Sequence, residues 1–198
     1  MQDHFIQEGL AYRFTPFDTK KTGVKIDSEK MYDNLMHKFR FGGIDKPDIY
    51  IDENAMRMFY THRRVFSQLV QQLMAEGQKE RAREVLIYAE KMIPPFNVPY
   101  DWQNGAAQMA RAWYQLGEME KGDEIMRQLA DKSIEYLTFY LSLNIRRFYS
   151  CTHEYEYQWA ILDAEVKSMR DAKSTLTEEY QKKLDELYNL YIQRLGEQ

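Results

Sequence analysis

A single cysteine, Cys151, in 198 residues leaves no possible intrachain disulfide, so oxidative stapling has no part in holding this chain together. Long apolar runs are also missing. No window approaches the ~20 apolar residues that cross a bilayer, and the opening Met1-Gln2-Asp3-His4-Phe5 has neither the basic patch nor the apolar stretch of a secretory leader. The expectation is a water-soluble chain. Charge of one sign is nowhere massed: 27 Lys and Arg stand against 31 Asp and Glu, for a net charge of −4, and the cations are scattered. This balance argues against a nucleic-acid partner. The pairs Arg63-Arg64, beside His62, and Arg146-Arg147 read as solvated helix faces rather than phosphate sites. The four histidines lie far apart and none forms the i, i+4 pair of a zinc helix, so no metal site is expected. Gly42-Gly43 lacks the Gly-Lys-Ser/Thr ending of a phosphate loop and follows a helix rather than a strand. Cys151 and His153 have the residue types of a nucleophile and a base, but no oxyanion site accompanies them. No catalytic residue and no cofactor is expected.

What is present is core material. Apolar residues make up 44% of the chain and aromatics 14%, enough for one domain or a short run of stacked helical hairpins. Tyrosines outnumber phenylalanines, 15 to 10, which suits thin helical layers where many rings are half-buried and hydroxyls reach outward.

Along the chain, the segment from Phe5 to Lys25 keeps no helical period and contains Pro16 and Gly23. It reads as an extended strap over residues 1–26, with Phe5-Ile6 and Leu10 to Phe14 as possible short strands. Asp27 or Ser28 then caps a helix carrying Met31, Leu35, Met36 and Phe39 on one face, ended by Gly42-Gly43. Asp52 caps a long helix to about Glu76. Gly77 interrupts it, and Ala82, Val85, Leu86, Ala89 and Ile93 form the stripe of the next helix, stopped by Pro94-Pro95. Trp102 to Leu116 reads as one helix, broken by Gly117. Residues 120–148 stay helical with a bend expected near Asp131 to Ser133, and two helices close the chain, about 153–172 and from Thr177 onward.

An internal repeat organises this pattern. Aligning Gly77 with Gly117 sets Leu73 opposite Trp113, Ala82 opposite Gly122, Val85 opposite Ile125, Leu86 opposite Met126 and Ala89 opposite Leu129. A large apolar residue, a turn glycine and small residues in the second helix follow the tetratricopeptide pattern. In the first copy, the order Gly77, Ala82, Leu86, Ala89, Pro94 also has its spacing. The second copy has Gly122 and Leu129 in place of alanines and no closing proline. The expected fold is all-α, with stacked antiparallel tetratricopeptide-like hairpins in a right-handed superhelix over residues 27–198. The hairpins fall at about 53–93 and 101–131. A plain helical bundle with glycine turns gives the same pattern and the same fold class.

In stacked hairpins of this kind the first helix of each pair lines the concave surface. Spacing maps that surface onto Arg64, Ser67, Gln71 and Met74, then Asn104, Ala107, Arg111 and Tyr114. Arg64 and Arg111 suit an acidic group or a partner's C-terminus, and Met74 and Tyr114 offer flat apolar contact. An ordinary wet helix face has the same composition. The paired charges along Glu178 to Lys183 read as a solvated face rather than catalytic carboxylates.

Several short words carry a further resemblance: Glu8-Gly9-Leu10-Ala11-Tyr12-Arg13, Met31-Tyr32-Asp33-Asn34-Leu35-Met36, Phe39-Arg40-Phe41-Gly42-Gly43, Tyr50-Ile51-Asp52-Glu53-Asn54, Val98-Pro99-Tyr100 and Tyr140-Leu141-Ser142-Leu143. In this order they resemble the soluble C-terminal region of a family of bacterial multi-pass membrane proteins of unknown function. The membrane part of that family is similar to protein O-mannosyltransferases. The resemblance implies an extramembrane, periplasmic region whose parent carries its enzymatic residues in absent membrane loops. The function expected is therefore a non-catalytic interaction or scaffolding module. Its partner would be a protein, or a peptide or glycan acceptor, and it would meet the membrane only through the absent region. The alternative is a freestanding small-ligand receptor or enzyme with a pocket between hairpins.

Overall fold

The computed structural model describes residues 4–196, apart from the side chain of Thr22, so the outermost residues of the expected strap and helical region lie outside the described residues. It is mostly helical, and the chain divides into two compact units, residues 1–112 and 113–198.

The first unit opens with strands β1 (Phe5–Gln7) and β2 (Tyr12–Phe14), paired antiparallel with Phe5 opposite Phe14 and Gln7 opposite Tyr12. Three-residue strands do not hold alone. Gln7 therefore also bridges the segment before the first long helix, donating its N–H to Lys25 O and accepting from Asp27 N. Helix α1 (Thr19–Thr22) is capped by Asp18 and ended by Gly23 at φ 72°. Asp27 caps α2 (Ser28–Asp33) as the sequence implies, and the chain continues as a π-turn over Asn34–Lys38 that keeps Met31 and Leu35 buried. Asp52 caps α3 (Glu53–Ala75), accepting from Asn54 N and Ala55 N. Val65, Phe66, Leu69, Val70 and Leu73 are its buried face, against which α4 (Lys79–Met92) packs with Ala82, Val85, Leu86 and Ala89 buried.

The helix expected over Trp102 to Leu116 is interrupted. A 3-10 turn covers Trp102–Asn104, Gly105 takes φ 81°, and α5 (Ala106–Gln115) begins only after it. Asp101 and Asn104 close a capping box around that turn, which stops a single helix from running through. The boundary between the units falls near the end of α5.

The second unit contains α6 (Met119–Ser142), α7 (Ile145–Ser150), α8 (Thr152–Asp171) and α9 (Thr177–Leu195), with α6, α8 and α9 mutually packed. Where a bend is expected near Asp131 to Ser133, α6 continues as helix without a break in its assignment. Ser133 is buried and its hydroxyl serves α8, donating to Glu165 and accepting from the Gln158 carboxamide. Asp131 accepts from the Tyr180 hydroxyl at 2.7 Å. Polar residues that favour a break in isolation here fasten one helix to its neighbours.

Three turns share one hydrogen-bond pattern. Gly77 N donates to Met74 O while Gln78 N donates to Leu73 O; Gly117 N donates to Tyr114 O while Glu118 N donates to Trp113 O. Both glycines have positive φ, 76° and 83°. This double bond is the Schellman ending. The third copy joins α8 to α9, with Lys173 N to Arg170 O and Ser174 N to Met169 O, and Lys173 itself at φ 59°.

Candidate functional site

Arg63 and Arg64 are neighbours in sequence with opposite fates. The helical turn sends Arg64 outward, where its guanidinium lies 3.4 Å from Thr61 Oγ1. Arg63, expected on a solvated face, is 1% exposed. Its guanidinium donates to Ile93 O at 2.7 Å, Val98 O at 2.6 Å and Pro99 O at 2.9 Å, and lies 4.9 Å from the centre of the Tyr100 ring. Burial pulls its pKa down to about 10, so it remains a cation at neutral pH. Proline-interrupted backbone cannot satisfy its own carbonyls by helix formation, and a planar donor fork satisfies several at once.

Arg63 thus fixes the loop that delivers the 3-10 turn to α3. Asn104 completes the fastening: fully buried, it donates to Pro99 O at 2.9 Å and accepts from Asp101 N at 3.2 Å. Gly105 then passes so close to α3 that a Cβ there would lie 2.7 Å from Ser67 Cβ and 3.2 Å from the backbone of Arg64. Only glycine combines that approach with its positive φ.

The result is an open depression of about 630 Å³ in the first unit. Arg64, Ser67, Gln68 and Gln71 of α3 form one wall, and Trp102, Gln103, Gly105 and Gln108 form the other. Gln71 is exposed and its carboxamide lies 3.3 Å from both Ser67 O and Ser67 Oγ. Gln108 Oε1 is buried with no hydrogen-bond partner among the described residues. A guanidinium, four carboxamides and an indole line the site, and among the described residues no carboxylate does. Such a surface offers donors and acceptors to peptide groups, a positive fork to an acidic group and a flat face for stacking.

Gln68 also borders a second depression of about 680 Å³, together with Phe5, Gln7, Tyr12, Thr19, Lys25 and Ile26. Gln7 Nε2 donates to Gln68 Oε1 at 2.9 Å, so the two hollows meet at one carboxamide pair.

Of the eight residues mapped from repeat spacing, Arg64, Ser67 and Gln71 meet in the first depression. Met74 is half-buried further along α3, outside that lining. Asn104 is internal. Arg111 is exposed on α5, its Nε donating to Ala107 O at 3.2 Å. Tyr114 belongs to the second unit, where its hydroxyl donates to Asp123 at 2.8 Å and its ring covers Gly122. Burial, then the Asp123 carboxylate, raises its pKa. Trp102, Gln103, Gly105 and Gln108 escape sequence reasoning because a continuous helix from Trp102 sets the wrong phase, and Gln68 adjoins the mapped Ser67 on α3. The available signal was the glycine itself, three residues after an aromatic that follows a prolyl loop.

Searches against protein-family models, curated proteins and solved structures returned no match.

The depression therefore has to be read from its own chemistry. Among the described residues no group of three or more His, Cys, Asp or Glu side chains could hold a metal ion, and no helix is long and apolar enough to cross a membrane. Cys151 is half-buried between α7 and α8, with His153 exposed nearby on α8.

Proposed function

We propose that this chain is a non-catalytic interaction module of tetratricopeptide-like hairpins that holds an extended peptide segment of a partner protein. The observation that carries the reading is the carboxylate-free depression between α3 and the Trp102–Gln108 segment, with Arg64 at its wall. Carboxamides pair with the N–H and C=O groups of an extended backbone, and the guanidinium receives a terminal or side-chain carboxylate. The shared glycine turns support the repeat character of the hairpins. The resemblance of the short sequence words supports a place in the extramembrane, periplasmic part of a glycosyltransferase-like membrane protein, where docking would position an acceptor or a companion subunit.

The test is a display of immobilised peptides, each with a free and an amidated C-terminus, against the full chain and the variants Arg64→Ala and Trp102→Ala. Binding that favours free carboxylates and weakens about tenfold in Arg64→Ala is expected, from loss of one charge-assisted contact. Peptide binding unchanged in both variants, or no binding at all, overturns the reading.

A further inference from the structure

The N-terminal hairpin presents apolar side chains that the fold leaves uncovered. Tyr12, Phe14 and Phe17 are 60%, 66% and 70% exposed, and Phe5, Leu10 and Val24 are exposed as well. Phe5 and Phe14 face each other across the strand pair, rings 5.8 Å apart, and Tyr12 shares their face because it lies two residues from Phe14. His4 stands 6.0 Å from the Phe14 ring and its Nδ1 lies 3.1 Å from Phe17 O, which draws the following turn to the same place. Isolated exposed rings need no explanation, but a cluster this dense marks a contact surface.

Charge decides what the surface fits. The chain as a whole carries −4, yet over residues 4–25 Arg13, Lys20, Lys21 and Lys25 outnumber Glu8 and Asp18. Glu8 is engaged by Arg13 and Lys30, and Asp18 caps α1, so both acids serve the fold. Arg13 points to the opposite face of the hairpin from the rings, opposite Ile6. Lys25 lines the same hollow as Phe5 and Tyr12, and Lys20 and Lys21 lie on α1, three and four residues after Phe17. Aromatic rings beside lysines are the chemistry of the bilayer interface, where rings enter the headgroup layer and ammonium groups meet anionic lipid.

We propose that this hairpin is a peripheral docking face for an anionic lipid surface. The Phe5, Tyr12, Phe14 and Phe17 rings lie among the headgroups, and Lys21 and Lys25 pair with lipid phosphates. None of these six residues lines the α3 depression, although the neighbouring hollow meets it at Gln68, so the test is independent of peptide binding.

The test is flotation of the full chain with vesicles of phosphatidylcholine alone and of phosphatidylcholine with phosphatidylglycerol in equal parts. Recovery with the anionic vesicles only, falling as salt rises, is expected. The double variant Phe14→Ser with Phe17→Ser should lose it, with helical circular dichroism unchanged because both rings are exposed. Lys21→Ala and Lys25→Ala should each weaken it about fivefold. Arg64→Ala should float as the parent does. Equal recovery on neutral vesicles, no recovery on either, or retention by the Phe double variant overturns the proposal. So does a concentration-dependent dimer abolished by the same Phe substitutions, which would assign the face to a second copy of the chain.

Discussion

At the scale of single residues, the largest departure from expectation is the pair Arg63 and Arg64. Nothing in their identity separates them; one step of helical rotation places one guanidinium in the interior and the other in a polar hollow. Arg63 satisfies carbonyls of a loop that α-helix or strand pairing leaves alone. Replacing it with methionine keeps much of the volume and strips those carbonyls of their donors. Arg63→Met is expected to lower stability by about 3 kcal/mol, whereas Arg64→Met should stay within about 0.5 kcal/mol. Urea unfolding of the two variants checks this, and equal midpoints would remove Arg63 from its structural role. Gly122 follows the same logic of neighbours over identity. It departs from the alanine of the repeat pattern because the Tyr114 ring occupies the space a methyl group needs.

At the scale of elements, one turn is used three times with two different residues at its left-handed position. A Cβ added at Gly77 or Gly117 meets nothing within 4 Å, so an alanine there is opposed by backbone conformation alone. Lys173 already bears that strain at φ 59°. Lys173→Gly is therefore expected to stabilise the chain by about 0.5 to 1 kcal/mol, and Gly77→Ala and Gly117→Ala to destabilise it by about 1 kcal/mol each. Thermal unfolding of the three variants gives the signs directly, and a destabilising Lys173→Gly would mean that the lysine side chain earns its place by a contact. The same turn explains what was legible in the sequence. Gly77, Gly117, Asp27 and Asp52 announce their turn or cap through residue type, and the helices they bound follow. The turn at Lys173 has no such mark, although Tyr180, Leu184, Leu187 and Tyr191 repeat the buried stripe of the earlier second helices. The break at Gly105 carries its mark in the glycine, but the apolar pattern on either side reads as one continuous helix and hides half of the depression. The continuous helix α6 carries Ser133 into hydrogen bonds with α8, a tertiary contact that no local pattern encodes.

At the scale of the whole molecule, tyrosines distinguish the two units. In the second, burial leads the causes that raise the pKa of Tyr114, Tyr140, Tyr155 and Tyr180, and it pushes Tyr191 up to about 12. The hydroxyls are committed as donors: Tyr114 to Asp123, Tyr155 to Leu187 O, Tyr180 to Asp131 and Tyr191 to Glu156. A donor that loses its proton would leave a phenolate facing an acceptor. In the unfolded chain these phenols ionise near pH ~10. Above that value the unfolded state holds fewer protons than the folded one, and stability falls with rising pH. The contribution is complete below the unfolded pKa and is lost progressively as pH rises through the folded value, about 12 for Tyr191. In the first unit Tyr32 is also raised, by burial and by Glu84, but the core of α3 and α4 is aliphatic with Phe66. Alkaline titration is therefore expected to unfold the second unit first. Tyrosinate absorbance should rise together with loss of amide-exchange protection in α6, α8 and α9 while α3 and α4 remain protected. Ionisation of all tyrosines near pH ~10 with the helices intact would show that the hydroxyls of the second unit are not held as donors.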